Sequence, residues 1–231
     1  MARWDPGTAE RLTQAALELY TEHGYDNVTV TQIAERAGIT RRSYFRYFPD
    51  KREVLFAGSE RLPAAVRAAV LDADPAAPPL SAALAALTQV GAALAEHIDR
   101  TAERRAVIDS SPELQERERT KLAVVTNVIQ DALLQRGVDD DNAKLVAQIA
   151  TIASQNALDR WAEGHGETDF ATCLHSVAVS LRDVLTEGID RRQGESCCAI
   201  GAERAANGCQ RAVVDTCELA TQRGEGGLSL P

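Results

Sequence analysis

The sequence predicts an all-α chain with a small three-helix head and a larger helical body. Three observations carry this. Alanine and leucine fill most of an apolar share of 45%, whereas aromatics make up only 4%, and strands usually collect aromatic and β-branched residues. Apolar residues recur with helical period along nearly the whole chain, and no segment alternates as a half-buried strand does. Proline, glycine and capping residues interrupt the pattern at helix-length intervals.

In the first segment, 6–23, Leu12, Ala15, Ala16, Leu19 and Tyr20 form one stripe. Asp5 is placed as its N-cap, Pro6 as its first helical residue and Gly24 beyond its end. Thr29-Val30-Thr31-Gln32 reads as a capping box that opens a second helix, which must stop near Gly38. Thr40 caps a short third helix through Phe48, ended by Pro49. Asp50-Lys51-Arg52-Glu53 reads as another capping box and opens a fourth helix, with Pro63 as a kink or break. Asp74 to Pro79 is a linker or sharp turn. Further helices are expected over 80–109 (with a break near Asp99), 112–136, 141–163 and 168–189, separated by Pro112, Gly137 and Gly164-His165-Gly166. From Arg191 the chain turns polar and then glycine-rich, so 191–231 is expected to be a poorly ordered tail. The expected domains are 1–49, 50–190 and 191–231.

Composition excludes several classes. No apolar run approaches the roughly 18–20 residues of a membrane span, and Met1 to Pro6 lacks the apolar core of a secretory signal. A cytoplasmic protein without membrane partners is expected. Four of the five cysteines, Cys197, Cys198, Cys209 and Cys217, fall near the C-terminus without the paired spacing of a zinc site. Free thiols are expected there, with a metal-sensing tail as the rival reading. His23, His97, His165 and His175 lie far apart, and no glycine-rich phosphate loop occurs, so no enzyme, cofactor or metal site is indicated. The net charge is −9, yet Arg36, Arg41, Arg42, Arg46, Lys51 and Arg52 stand against Asp50 alone in residues 36–52, a local +5 that leaves −14 elsewhere. A basic patch on an acidic body is a phosphate-binding footprint that limits indiscriminate binding.

The patch coincides with the sharpest motif, Thr31 to Phe48. Two short helices that cross closely need a small residue at the crossing and a left-handed turn between them, and Ala34 and Gly38 have that spacing. Ile33, Ala37, Ile39 and Tyr44 supply apolar contacts. The second helix, rich in arginine, then suits a major groove about 12 Å wide. An ordinary helical hairpin is the bland alternative; the arginines on the outer positions and the interleaved aromatics argue against it.

Over residues 8–57 the sequence resembles the TetR family of bacterial regulators, through Gly24-Tyr25, Val28-Thr29-Val30, Ile33 to Gly38 and Tyr44 to Glu53. Beyond residue 60 the likeness is one of architecture alone. The resemblance implies an N-terminal helix-turn-helix DNA-binding domain followed by a helical ligand-binding and dimerisation domain. It places Arg41 and Arg42 at base edges, where guanine O6 and N7 suit them. Thr40 and Ser43 would cap the helix or bond phosphate, and Arg46 would join the DNA face, with a solvated surface charge as its alternative. Tyr47 and Lys51 would hold phosphates, Lys51 helped by the start of helix four. Thr29 and Thr31 would bond the other strand's backbone. Phe45 stands where the family usually has tyrosine, so a phosphate hydrogen bond is lost there; a thymine methyl and packing against Arg41 stay open. Arg42 replaces a residue that is often small, which widens base readout or adds phosphate affinity. Arg36 and Arg52 read as ion-pair partners and Tyr44 as core.

The stripes Leu145, Ile149, Ile152, Ala153, Asn156, Trp161 and Phe170, Leu174, Val177, Leu181, Val184, Leu185 suit a homodimer interface built from helices 141–163 and 168–189, or simply the subunit core. Helices from 50 to 136 are expected to enclose a small-molecule effector cavity. Gln89, His97, Arg104, Asn127 and Asn156 are polar residues available to line it, but no pocket is assigned. The expected function is a ligand-responsive regulator, commonly a repressor, that binds a palindromic operator as a homodimer. A helical interaction or ligand-binding protein that does not act through DNA is the alternative.

Overall fold

The computed structural model describes residues 7–95, 100–164 and 168–186, and among these there is no strand. The helices are α1 (Thr8–His23), α2 (Val30–Arg36), α3 (Arg41–Tyr44), α4 (Leu62–Asp72), α5 (Pro79–Ala95), α6 (Thr101–Asp109), α7 (Pro112–Gln135) and α8 (Asp140–Glu163). A last helix, α9, runs over 170–186. Two 3-10 turns, Glu53–Phe56 and Ser59–Arg61, join α3 to α4.

Two cores form. The head core gathers Leu12, Ala16 and Tyr20 of α1 around Ile33, Ala34 and Tyr44, and extends through Val54 to Phe56 into Val107, Ile108 and Leu114 of α6 and α7. Each such large apolar side chain contributes about 1.5–3 kcal/mol by leaving water. The body core packs α4, α5, α7, α8 and the start of α9 through Val66, Val70, Leu87, Ile129, Leu133 and Phe170. The face that α8 turns inward is almost all alanine (Ala143, Ala147, Ala150, Ala157), which lets α5 and α7 approach it closely. Gly91 allows a second close approach: a Cβ there would lie 2.2 Å from the Phe170 ring.

Four expectations need correction. Helix α1 begins at Thr8 with Gly7 in the N-cap position; Asp5 and Pro6 lie outside the described residues. The regular helix α3 ends at Tyr44; beyond it the bonds Arg46 N to Ser43 O and Tyr47 N to Tyr44 O are 3-10-like, and one α-type bond, Phe48 N to Tyr44 O, closes the turn. Phe48, at the end of this turn, is 6% exposed and belongs to the head core. No α-helix starts at Asp50. Its Oδ1 accepts from Arg52 N and Glu53 N, but the Glu53 side chain does not return to complete the box, and Gly58 with φ +81 ends the segment. Pro63 therefore sits in the first turn of α4, where its missing N–H leaves no gap. Finally, the two C-terminal stripes each mix two faces. Leu145, Ile152 and Asn156 are exposed, while Ala153 is buried and Trp161 packs on the body core. Phe170, Leu174 and Val177 are buried, whereas Val184 and Leu185 are exposed.

The other boundaries hold within a few residues, including the break before α6. There Arg100 has φ +58. The tail 191–231 with its four cysteines, and His97 and His165, lie outside the described residues. Arg136 closes the body by donating to the carbonyls of Val70 and Ala73 at the end of α4 and of Asp74 in the turn that follows.

Candidate nucleic-acid interface

The head presents α3 on a tight frame. Thr29 Oγ1 accepts from Gln32 N at 3.3 Å, and Thr29 N donates to Gln32 Oε1 at 2.8 Å, so the capping box of α2 closes in both directions. Ala34, fully buried, lies where α2 meets α3. The turn passes through Gly38 at φ +73, a left-handed conformation that favours glycine, and Ile39 N reaches back to Ala34 O at 2.9 Å. Thr40 Oγ1 accepts from Ser43 N at 3.1 Å and so caps α3, and the Ser43 hydroxyl lies 3.0 Å from it within hydrogen-bond reach.

Two tyrosines fix the segment beyond α3. Tyr20 OH donates to Lys51 O at 2.7 Å and Tyr44 OH to Asp50 O at 3.0 Å. Burial raises the pKa of both hydroxyls, so they remain neutral donors. For Asp50, burial acts upward, but hydrogen bonds from Arg52 and from the Glu53 and Arg52 amides outweigh it and hold the carboxyl below its ordinary range.

The structure sorts the basic patch into two groups. Arg36 pairs with Glu18 at 3.2 Å and Glu22 at 3.1 Å. Arg52 pairs with Asp50 at 2.9 Å and Glu113 at 3.4 Å. Lys51 Nζ donates to Tyr25 O at 3.0 Å and Val28 O at 3.3 Å, and lies 4.0 Å from the centroid of the Tyr25 ring. The ammonium that the sequence offers to phosphate thus ties the end of the motif to the α1–α2 loop, and the element that starts beside it is a short 3-10 turn rather than an α-helix. Arg41, Arg42 and Arg46 are exposed and make no ion pair with any described residue. Thr29, Thr31 and Thr40 are also exposed, and Ser43 and Tyr47 are half-buried. Phe45 is 46% exposed on the same short segment, with the Arg41 guanidinium 5.7 Å from its ring centroid.

Sequence reasoning missed the groups that join head to body. Glu53 accepts from Lys121 Nζ at 2.5 Å and from Arg117 Nε at 2.8 Å. Burial acts upward on its carboxyl, but Lys121 and Arg117 outweigh it and lower the pKa. Arg104 Nε donates to Leu55 O at 2.7 Å, and its guanidinium lies 5.4 Å from the Phe56 ring, which Lys121 approaches at 5.7 Å. Burial lowers the pKa of Arg104. The local sequence signal at Glu53 was its place in an apparent capping box, which points to its own helix rather than to α7.

A groove of about 270 Å³ between α7 and α8 is lined by Leu122, Thr126, Gln148, Thr151, Ile152 and Gln155, among others. The Thr126 and Thr151 hydroxyls bond each other within it at 2.9 Å. Of the polar residues considered as pocket liners, the four that are described do not contribute to it: Gln89, Asn127 and Asn156 are exposed, and Arg104 sits at the head–body junction. Among the described residues no cluster of histidine, cysteine and acidic residues is arranged to hold a metal, and no helix is long and apolar enough to cross a membrane.

Comparison with known proteins agrees with this architecture. Residues 12–57 match the family model for bacterial regulatory proteins of the tetR family, and residues 77–186 match the MftR C-terminal domain. The chain is 27% identical over 187 residues to the putative mycofactocin biosynthesis transcriptional regulator MftR of Mycobacterium tuberculosis, covering 80% of this chain and 92% of that one. It is 45% identical over 47 residues to the HTH-type transcriptional regulator TcmR of Streptomyces glaucescens, covering 20% and 21%. Among solved structures, a SmeT–triclosan complex superposes with TM-score 0.53 at 18% identity, over 75% of this chain and 91% of that one. NalD of Pseudomonas aeruginosa, the secondary repressor of the MexAB-OprM multidrug efflux pump, gives 0.51 at 15% identity, over 74% and 95%. With a helix-turn-helix head, an all-helical body and matches over both, the chain belongs to the TetR family of bacterial transcriptional regulators.

Proposed function

We propose that this regulator is a repressor that binds a palindromic operator as a homodimer and releases it when a small molecule binds the helical body. The observation that carries the DNA reading is the sorting of the basic patch: three arginines without acid partners, with Phe45, project from the capped segment that begins at Thr40. In a major groove, Arg41 and Arg42 read base edges, while Arg46, Tyr47, Thr29 and Thr31 meet phosphates. Thr40 and Ser43 act by holding α3 in place. Lys51 adds positive charge near the backbone while its ammonium fixes the loop.

A single half-site offers few base contacts, and two-fold symmetry lets two recognition helices enter successive major grooves about 34 Å apart. Leu145 and Ile152, 54% and 58% exposed on α8, supply an apolar surface for a twin subunit, and α9 offers Val184 and Leu185 on its own surface. The SmeT comparison, a complex with triclosan, supports reading the body as the sensing part. A coupling of about 1–3 kcal/mol between effector and operator is typical of such proteins, and Glu53 with Arg104 lies on the route between the two parts.

The test is selection from random duplexes followed by titration at two salt concentrations. The expected result is an enriched palindrome. Arg41→Ala then loses about 1–3 kcal/mol and relaxes one base position, whereas Arg46→Ala weakens all sequences alike and lowers the salt slope by about one. If no sequence is enriched and these variants bind as the wild type does, the alternative of a helical ligand-binding protein acting without DNA takes over.

A further inference from the structure

We infer that Arg41 and Phe45 form one reading unit, in which Arg41 takes a guanine and Phe45 takes the 5-methyl group of a nearby pyrimidine. The inference rests on the operator-binding reading above and specifies what the operator contains.

Phe45 is a large apolar side chain exposed among cations, with Arg41, Arg42 and Arg46 around it in sequence and all exposed. Its ring is held from behind. It meets Tyr44 edge-on, with centroids 5.6 Å apart and planes at 81°. Tyr44 is itself fully buried and anchored through its hydroxyl to Asp50 O. The Arg41 guanidinium lies 5.7 Å from the Phe45 centroid, within cation–π range. That contact orders a long, flexible cation before it meets DNA and lowers the entropy lost on binding.

A phenyl ring has no group to bond phosphate, and a sugar–phosphate face would not repay its desolvation. The three unpaired arginines around it argue for a polyanion rather than an apolar protein surface. The apolar group that a major groove presents is the C5-methyl of thymine. Base pairs rise about 3.4 Å per step, so a ring 5.7 Å from the guanidinium meets a methyl one or two base pairs from the guanine. The ring recognises the methyl rather than the Watson–Crick edge, so 5-methylcytosine satisfies it as thymine does, and unmethylated cytosine does not.

The experiment uses the full chain and the palindrome obtained by selection. Each thymine of a half-site is replaced in turn by uracil, which deletes one methyl and changes nothing else. The duplexes are titrated against wild type, Phe45→Ala and Phe45→Leu. The expected result is one thymine per half-site, one or two base pairs from an invariant guanine, whose uracil replacement weakens wild-type binding about threefold to fivefold, the worth of one buried methyl. Phe45→Ala becomes indifferent to that replacement, while Phe45→Leu keeps part of the sensitivity. A C·G pair at that position binds better when its cytosine is 5-methylated, fully in wild type, in part in Phe45→Leu and not in Phe45→Ala. Uracil tolerated at every position overturns the inference, as does an equal loss in Phe45→Ala. Failure to enrich any sequence overturns the operator-binding reading itself, and that result is distinct from an operator indifferent to its methyl groups.

Discussion

Glu53 Oε2 accepts hydrogen bonds from both Nε and Nη2 of Arg117, at 2.8 and 2.5 Å, across the junction between the DNA-reading head and α7. Lys121 holds the other carboxylate oxygen at 2.5 Å. The Glu53 side chain is only 16% exposed, so the three charges form one partly desolvated cluster whose members depend on one another. Removing the acid leaves two cations close together.

Glu53→Gln is therefore expected to lower stability by about 2–3 kcal/mol, within the range for losing one partner of a charged, hydrogen-bonded set. Because its folded pKa is lowered, its contribution is fully present above the unfolded value of about 4.3 and is lost as pH falls through the folded one. Urea unfolding of wild type and variant should differ by a constant amount from pH 7 to pH 5, with a shrinking gap below about pH 4. A gap that widens on acidification would contradict the assignment.

Lys51→Ala separates two roles for one ammonium. Its bonds to Tyr25 O and Val28 O hold the α1–α2 loop against the end of the recognition segment. Loss of stability by about 1.5–3 kcal/mol is expected, together with weaker DNA binding. An unchanged melting temperature with weakened binding would mean that the lysine serves phosphate directly.

Ile152→Glu, on an exposed position of α8, is expected to leave the subunit folded and to break the dimer. Buried unpaired charges at an interface lose several kcal/mol of association. Light scattering at micromolar concentration checks the mass, and circular dichroism checks the fold. A dimer that survives both Ile152→Glu and Leu145→Glu would place the interface away from this face of α8.

Gly91→Ala puts a methyl where the Phe170 ring lies, 2.2 Å from the nearest ring atom. The expected destabilisation is about 1–3 kcal/mol, as for other overpacked cores. Phe170→Leu should be less harmful in the Gly91→Ala background than alone, because the smaller side chain makes room for the added methyl. Thermal unfolding of the four proteins gives the coupling directly, and additive effects would show that the helices simply move apart.

Local chemistry determined much of this protein. The Thr29 and Thr40 caps, the Gly38 turn and Pro112 act on neighbours within four residues, so their signals stand next to their effects and α2, α3 and the start of α7 were legible. The helix-turn-helix and the resemblance to its family were legible in residues 8–57 alone. Tertiary structure decided which of six basic residues are free to meet DNA, because their partners are distant in sequence. Arg36 finds Glu18 and Glu22, 18 and 14 residues away, and Lys51 reaches a carbonyl 26 residues back. It also decided what Glu53 does, since a carboxylate that suits a local cap suits a salt bridge to α7 better once Arg117 and Lys121 arrive. Apolar periodicity marked α8 and α9 as helices but did not say what covers each side. Leu145 and Ile152 face outward while Ala147 and Ala150 fill the core, and the hydrophobic effect is indifferent to whether the same chain or a second one removes the water.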